Sequence, residues 1–268
     1  MRTIFLITAR LKSTRLTKKI LKKINNQPII KYMIERLRKI RDLDDVVICT
    51  SVDKGDDELV KFCIEHNYKY YRGSRNDVIS RLYQAAKKYK ANYIINIPAD
   101  NPLVDPIYIK KTIKILKENS YDLVRNYSIP LGLFCYGMTK SAMRKVCNIK
   151  KNNETEVWYR YFTHTKLFKV KTISSSRKHY FKCRLTMDYF EDFKLIKKIL
   201  THYKYSNTIN INHIKKYFEL FPKDKNININ YNKKSTERFN YQSNLKLKKK
   251  INYKQVVKKV YKDFTEFY

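Results

Sequence analysis

The 268-residue chain is long enough to bury a full core, and with 43% hydrophobic residues it reads as globular rather than disordered. It carries 59 Lys and Arg against 24 Asp and Glu, a net charge of +35, yet no apolar run long enough to span a bilayer. Five cysteines without a CxxC pair and five scattered histidines argue against a disulfide framework or a zinc site.

Residues 3–8 (TIFLIT) have the short, β-branched, apolar character of a buried strand. The loop behind them holds Arg10, Lys12, Arg15, Lys18 and Lys19. So many like charges repel one another unless an anion sits among them, although basic clusters are also common as solvated faces. Pro28 opens a helical pattern through Ile30, Met33, Ile34, Leu37 and Ile40. Residues 46–50 (VVICT) read as a second buried strand, and Gly55-Asp56-Asp57 caps a helix through Leu59, Phe62, Cys63 and His66. A short strand at 68–71 leads through the loop RGSRND (72–77) into a helix over 78–89, then a strand at 93–97 that ends at PADNPLVDP. Alternating strands and helices of this length predict βαβ units and a mostly parallel sheet, whose ligands sit outside the carboxyl ends of the strands. Loops 9–19 and 98–106 both fall at such ends.

Beyond residue 120 the pattern loosens. Residues 121–175 read as mixed strands around a Pro130-Leu131-Gly132 turn and the sole tryptophan, Trp158. Residues 181–187 (FKCRLTM) predict one more strand, ending at Asp188, and a helix follows over 190–203. Residues 223–268 are rich in Lys and Asn, with a terminal helix expected near 253–264.

The charge invites a nucleic-acid reading, but it is not gathered into a stripe. Residues 223–268 hold 13 Lys and Arg against 4 Asp and Glu, so only +9 of the +35 lies there. Only 4 glycines occur, while Lys, Asn, Ile and Tyr abound. A bias toward A/T-rich codons explains both facts without a nucleic-acid partner.

Two strand-end aspartates carry the sharpest chemical signal. Asp100 sits in a proline-punctuated turn just past an apolar strand, where it could hold Mg²⁺, a hard cation that takes few protein ligands and several phosphate oxygens; the plainer alternative is a turn aspartate that caps the next helix. Asp188 repeats the arrangement, and Glu191 or Asp192 is explained as a first-turn acid. Together with a cationic loop, two such carboxylates suit nucleotidyl transfer. Gly73 is one of the few glycines retained, which suggests a backbone conformation other residues dislike.

Five motifs in order resemble the cytidylyltransferases that activate acidic sugars, of the spore-coat-polysaccharide, acylneuraminate and Kdo types. They are Ala9-Arg10-Leu11-Lys12-Ser13-Thr14-Arg15-Leu16-Thr17-Lys18-Lys19, Val47-Ile48-Cys49-Thr50-Ser51, Arg72 to Val78, Asp100 to Pro106, and Leu185 to Phe193. The resemblance covers about residues 1–200. It implies a Rossmann-like, three-layer nucleotide-diphospho-sugar transferase fold, an α/β architecture with a mostly parallel central sheet and a mixed, β-rich insertion. It also implies a nucleotidyltransferase domain over 1–222, with 121–175 shaping the acceptor pocket and dimer contacts, and a separate extension over 223–268.

By the same resemblance, Arg10, Arg15, Lys19 and Asp100 are the catalytic candidates, and Asp100 and Asp188 hold Mg²⁺. Ala9, Arg10, Ser13, Arg15, Lys19, Arg72, Ser74, Asp77, Pro98 and Ala99 line the nucleotide. The expected reaction moves CMP from CTP to an acidic sugar or similar small acceptor and releases pyrophosphate, in a cytoplasmic homodimer without membrane contact. The alternatives are another nucleotide or acceptor on the same fold, or a basic nucleic-acid-binding protein. Lys12 replaces a family Gly, Thr17-Lys18 replaces Pro-Gly, and ETEVWYRYFTHT (154–165) departs from the usual middle segment. Loss of those conformers could deform the phosphate loop, although compositional drift alone would produce the same exchanges, and the altered middle segment leaves the acceptor open.

Overall fold

The computed structural model describes residues 1–118 and 120–231. The expected helix near 253–264 lies outside the described residues. Seven strands form one sheet in the order β5-β4-β1-β6-β8-β7-β9. The strands are β1 (Thr3–Thr8), β4 (Asp45–Ser51), β5 (Lys69–Gly73), β6 (Tyr93–Pro98), β7 (Leu123–Arg125), β8 (Tyr136–Thr139) and β9 (Val170–Thr172), and a small hairpin of β2 (Lys23–Ile24) and β3 (Gln27–Pro28) stands apart. The β5-β4-β1-β6 block is parallel, β8 runs antiparallel to both β6 and β7, and β9 is parallel to β7. The sheet is therefore mostly parallel, as the alternation of elements predicts.

Side-chain alternation along β1 builds the layers. Phe5 and Ile7 face one cluster with α1 (Ile29–Arg38), α2 (Asp57–Glu65) and the near side of α4 (Pro106–Glu118). Ile4 and Leu6 face the other cluster with α3 (Val78–Lys88), α5 (Lys140–Ile149) and α6 (Tyr159–Thr163). All four residues are fully buried, each worth about 1.5–3 kcal/mol of apolar burial. A third cluster joins α7 (Phe190–His202) and α8 (Ile211–Leu220) to Val124, Leu133, Leu185 and Met187.

The later half departs from the sequence expectation in two respects. Residues 121–175 contribute β7, β8 and β9 but also α5 and α6, and Trp158 is buried against Tyr136 and Phe162 in the core. Residues 181–187 form no strand. Arg184 makes an isolated parallel bridge with Leu131, and the amides of Leu185 and Met187 donate to the carbonyls of Leu131 (2.8 Å) and Asp100 (2.7 Å). Those partners lie in loops, so no ladder propagates. The chain is thereby pinned beside the loop that carries Asp100.

Residues 223–231, the first part of the expected extension, pack onto the domain. Asp224 accepts from Tyr217 (2.5 Å) and Lys198 (2.8 Å), and these two hydrogen bonds outweigh burial and hold its carboxyl below the usual range. Asn228 is buried and Tyr231 stacks on Tyr189 at 4.0 Å.

Candidate active site

The cationic loop follows β1 at the carboxyl edge of the sheet. Ala9 donates its amide to Cys49, and Ala99 donates to Thr8, so the ends of β1, β4 and β6 are locked together. Asp56, read from sequence as a helix cap, instead ties this loop down. Its buried carboxylate accepts from the Leu11 amide (2.7 Å) and from the Ser51 hydroxyl (2.5 Å), and no side-chain capping bond to α2 is present. Ser13 accepts from the Leu16 amide at 3.3 Å, a local serine turn.

Lys18 adopts φ 47°, ψ 34°, the left-handed region that glycine enters without cost. This is the position at which the resembled family carries Gly. The loop has kept the backbone turn and lost the residue that favours it.

The turn delivers Lys19 to the centre of an ion cluster. Its Nζ lies 2.5 Å from Asp100 Oδ2 and 2.9 Å from Asp188 Oδ1, while Arg15 Nη2 lies 2.7 Å from the same Asp188 oxygen. Arg15 also sits over the Tyr189 ring, 5.2 Å from its centroid. Burial opposes the Lys19 ammonium, but Asp100 and Asp188 outweigh it and hold its pKa above the ordinary lysine value. The two carboxyls respond in opposite directions. Burial pushes Asp100 up against the pull of Lys19, with the charge of Asp188 adding to the rise. At Asp188 burial is outweighed by Lys19, Arg15 and Arg184, which hold the group down. Asp188 is therefore the firmly charged member of the pair.

The nucleotide-binding candidates from the second loop form a neighbouring group. Arg10 Nη1 donates to the Arg75 carbonyl (3.1 Å), which also accepts from Arg81 Nη1 (3.2 Å). Arg72 donates to the carbonyls of Ser51 and Asp53, both at 3.0 Å, and pairs with Asp57 at 2.7 Å. Ser74 accepts from the Asp77 amide. The Asp77 carboxylate is occupied by its own surroundings: it caps α3 through the Ser80 amide, pairs with buried Lys150 (2.5 Å) and accepts from Thr155 (3.0 Å). Pro98 is exposed and its carbonyl accepts from the Asn101 amide at 3.1 Å, whereas Ala99 is buried.

Gly73 takes no left-handed conformation, contrary to the sequence expectation. A Cβ there would lie 2.9 Å from both Arg81 Cγ and Tyr71 Cε1. The glycine is kept for room, because the buried Arg81 stem passes directly over it.

The structure thus brings Arg15, Lys19, Asp100 and Asp188 into one contact cluster, and Arg10 reaches from the cationic loop to the neighbouring segment that carries Arg72, Ser74 and Asp77. The donor set suits Mg²⁺. Two carboxylate oxygens already share one cation, at the end of a cationic loop, and Mg²⁺ takes one or two protein carboxylates with the rest of its shell from water and phosphate. No group of three or more His, Cys, Asp or Glu that could form a protein-only metal cage occurs among the described residues. Sequence reasoning missed Arg184 and Asn228. Arg184 is 1% exposed at its side chain and lies 3.0 Å from both Asp188 and Asp192. A basic residue four positions before a strand-end aspartate was the available signal for Arg184. Asn228 lies in a segment with no such pattern.

No helix among the described residues is long and apolar enough to cross a membrane. Comparison with known proteins gives the family and the fold. A family model described as cytidylyltransferase matches residues 4–260. An uncharacterized protein of Methanocaldococcus jannaschii is 35% identical over 228 residues, covering 83% of this chain and 93% of the relative. The spore coat polysaccharide biosynthesis protein SpsF of Bacillus subtilis is 27% identical, covering 73% of this chain and 85% of its own length. Among solved structures, a cytidylyltransferase from Leptospira borgpetersenii superposes with a TM-score of 0.76 at 26% identity, covering 84% of this chain and 97% of that one. A CMP:2-keto-3-deoxy-manno-octonic acid synthetase complexed with CTP shares the fold, with a TM-score of 0.60 at 12% identity over 75% of this chain and 99% of its own. With that family model spanning nearly the whole chain and the sheet of its solved relative, the chain is an enzyme of the cytidylyltransferase family.

Proposed function

We propose that this enzyme transfers CMP from CTP to an acidic sugar or similar small acceptor, with Mg²⁺ as its metal, and supplies an activated precursor for a surface glycan. The observation that carries the reading is the Lys19–Asp100–Asp188–Arg15 cluster at the end of a cationic loop. Polyphosphate is the anion that such a loop and a two-carboxylate metal site accept together. The name of the spore-coat relative and the CTP in a structural neighbour support the nucleotide and the pathway class.

In this reading, Arg10, Ser13, Arg15 and Lys19 bind the triphosphate, and Ala9, Arg72, Ser74, Asp77, Pro98 and Ala99 surround the base and ribose. Lys19 and Arg15 exchange their contacts with the carboxylates for contacts with phosphate oxygens, where their charge meets the charge that builds up in transfer. An acceptor oxygen attacks the α-phosphorus, a new P–O bond forms, and the bond to the β-phosphate breaks to release pyrophosphate. Asp100 and Asp188 would hold Mg²⁺, which would supply charge neutralisation at the attacked phosphate.

The acceptor is assigned to the β7–β8 side of the sheet. There Arg125 lies over Tyr127, 4.7 Å from the ring centroid, and the Tyr127 hydroxyl is 3.3 Å from that of Tyr136. His164 stands nearby, its pKa lowered by burial and then by the charges of Arg160 and Arg125. Excess positive charge at that position suits an acidic acceptor. Residues 121–175 supply this wall, and the proposed homodimer places its contacts on the same segment.

Thermal unfolding with CTP, UTP, GTP or ATP, each with and without Mg²⁺, tests the reading. A ligand at a hundred times its dissociation constant stabilises by about 2.7 kcal/mol. A selective, Mg²⁺-enhanced shift with CTP is expected. A larger shift with another nucleotide would keep the fold and overturn the specificity, and no shift with any would overturn the assignment.

A further inference from the structure

We propose that Arg184 is a positioning residue that fixes which oxygen Asp188 offers to the metal, and that Asn228 completes its support. The proposal rests on the nucleotidyl-transfer reading above and assigns a role to two residues outside the motifs that carry it.

The two oxygens of Asp188 have separate partners. Oδ1 accepts from Arg15 (2.7 Å) and Lys19 (2.9 Å), on the side of the cationic loop. Oδ2 accepts from Arg184 Nη2 at 3.0 Å. The guanidinium is fixed in turn, because Nε donates to Asp192 Oδ1 at 3.0 Å and Nη2 reaches Asp192 Oδ2 at 3.4 Å. Asp192 also accepts from the backbone amides of Asp188 (2.8 Å) and Tyr189 (2.9 Å), so it holds the main chain of the ligand as well. Asn228 Nδ2 donates to Asp192 Oδ1 (2.8 Å) and to the Arg184 carbonyl (2.9 Å).

The grip on Oδ2 resists rotation about the Cβ–Cγ bond, so Oδ1 stays turned toward the cationic loop, the side on which a metal would be held. That matters for Mg²⁺, which demands near-octahedral geometry at short distance and tolerates misplaced ligands poorly. Stability alone explains the arrangement badly. Arg184 and Asp192 are almost fully buried, and a buried ion pair often contributes no more than well-packed apolar residues would. Orientation of a metal ligand is a return that such a pair does give, and partners of this kind typically govern metal affinity by about 10- to 100-fold. Asn228 extends the chain of support into residues beyond 222, and Tyr231, three residues on, stacks on Tyr189 at 4.0 Å. The start of the extension is thus part of the site.

The test uses Mn²⁺ as the probe. Free Mn²⁺ is followed by electron paramagnetic resonance as it is taken up by the full-length protein with CTP, for wild type, Arg184→Lys and Asn228→Ala. Lysine keeps the charge but lacks the planar fork with which the guanidinium holds Asp188 Oδ2 and both oxygens of Asp192 in fixed directions. CTP affinity in excess chelator and the unfolding midpoint are measured alongside. The expected result is Mn²⁺ binding about 10- to 100-fold weaker in both variants, with metal-free CTP affinity within about twofold of wild type. Folded Asn228→Ala with Mn²⁺ affinity equal to wild type overturns the proposal, and it decides the matter even if Arg184→Lys fails to fold. Parallel loss of metal-free CTP binding also overturns it, since that marks a general structural role. Wild type that takes up no Mn²⁺ with CTP overturns the function itself, a separate and recognisable failure.

Discussion

Asp100→Ala is expected to lower turnover by about three orders of magnitude while the protein remains folded. Asp100 is the first residue but one beyond β6, in a turn whose shape is set by other groups. The Pro98 carbonyl accepts from the Asn101 amide and side chain, and the Met187 amide donates to the Asp100 carbonyl rather than to its carboxylate. Removing the side chain costs the Asn101 side chain its bond to Asp100 Oδ1 at 2.8 Å but leaves the others in place, and Lys19 keeps Asp188 as a partner at 2.9 Å. Burial and the charge of Asp188 push the Asp100 carboxyl up despite Lys19, so its ionised form is held at a cost that the substitution relieves. The unfolding midpoint should therefore move by no more than about 4 °C, the equivalent of roughly 1 kcal/mol in a domain of this size. Pyrophosphate release with the acidic sugar that wild type accepts gives the activity, and calorimetry gives the midpoint. Normal turnover by a folded Asp100→Ala protein would refute the metal assignment.

Much of this site is legible in the sequence because strand ends are. Apolar runs at 3–8, 46–50 and 93–97 match β1, β4 and β6, and loops after parallel strands must gather at one edge. Asp100 and the cationic loop follow from that alone. Asp188 meets them for a different reason than its motif suggests. The expected strand before it does not form, and the segment is held instead by single bonds to Leu131 and Asp100, which no periodicity records. Arg184, Asp192 and Asn228 form one support because α7 and the segment after α8 fold back together, a long-range event invisible to local pattern. Helix α8 was within reach: Asn210 caps it through the Asn212 amide, and Ile211, Ile214 and Phe218 keep helical spacing. Helix α5 was within reach too, with Thr139 capping it through the Ala142 amide and Ala142, Met143 and Val146 at helical spacing, whereas α6 (Tyr159–Thr163) hid among aromatic residues that suit strands equally well. The charge of +35 misleads most. Within the site the basic residues are specific, and across the rest of the surface they follow composition.

Gly132→Ala is expected to destabilise the protein by about 2–5 kcal/mol, combining backbone strain with overpacking. The sequence marks Pro130-Leu131-Gly132 as a turn, and the structure shows why the third position admits no side chain. The Leu133 amide donates to the Pro130 carbonyl at 3.1 Å, closing a turn with Gly132 at φ +99° in its third position, the place where a type II turn requires glycine. A Cβ on Gly132 would stand 2.4 Å from the Leu185 carbonyl carbon and 2.7 Å from the Thr186 nitrogen. Both obstacles are backbone, so neither can swing aside. The segment they belong to is the one tied to Leu131 at 2.8 Å, and it leads within three residues to Asp188. Relief by moving the segment would carry the metal ligand with it, so activity should fall even below the unfolding temperature. A drop of roughly 5–15 °C in midpoint is expected. Gly55→Ala provides the contrast, since nothing lies within 4 Å of a Cβ there, and its stability should stay within about 0.5 kcal/mol of wild type. If the two alanine variants unfolded at the same temperature, the close approach of the turn to Leu185 would be wrong, and with it the account of how Asp188 reaches the site.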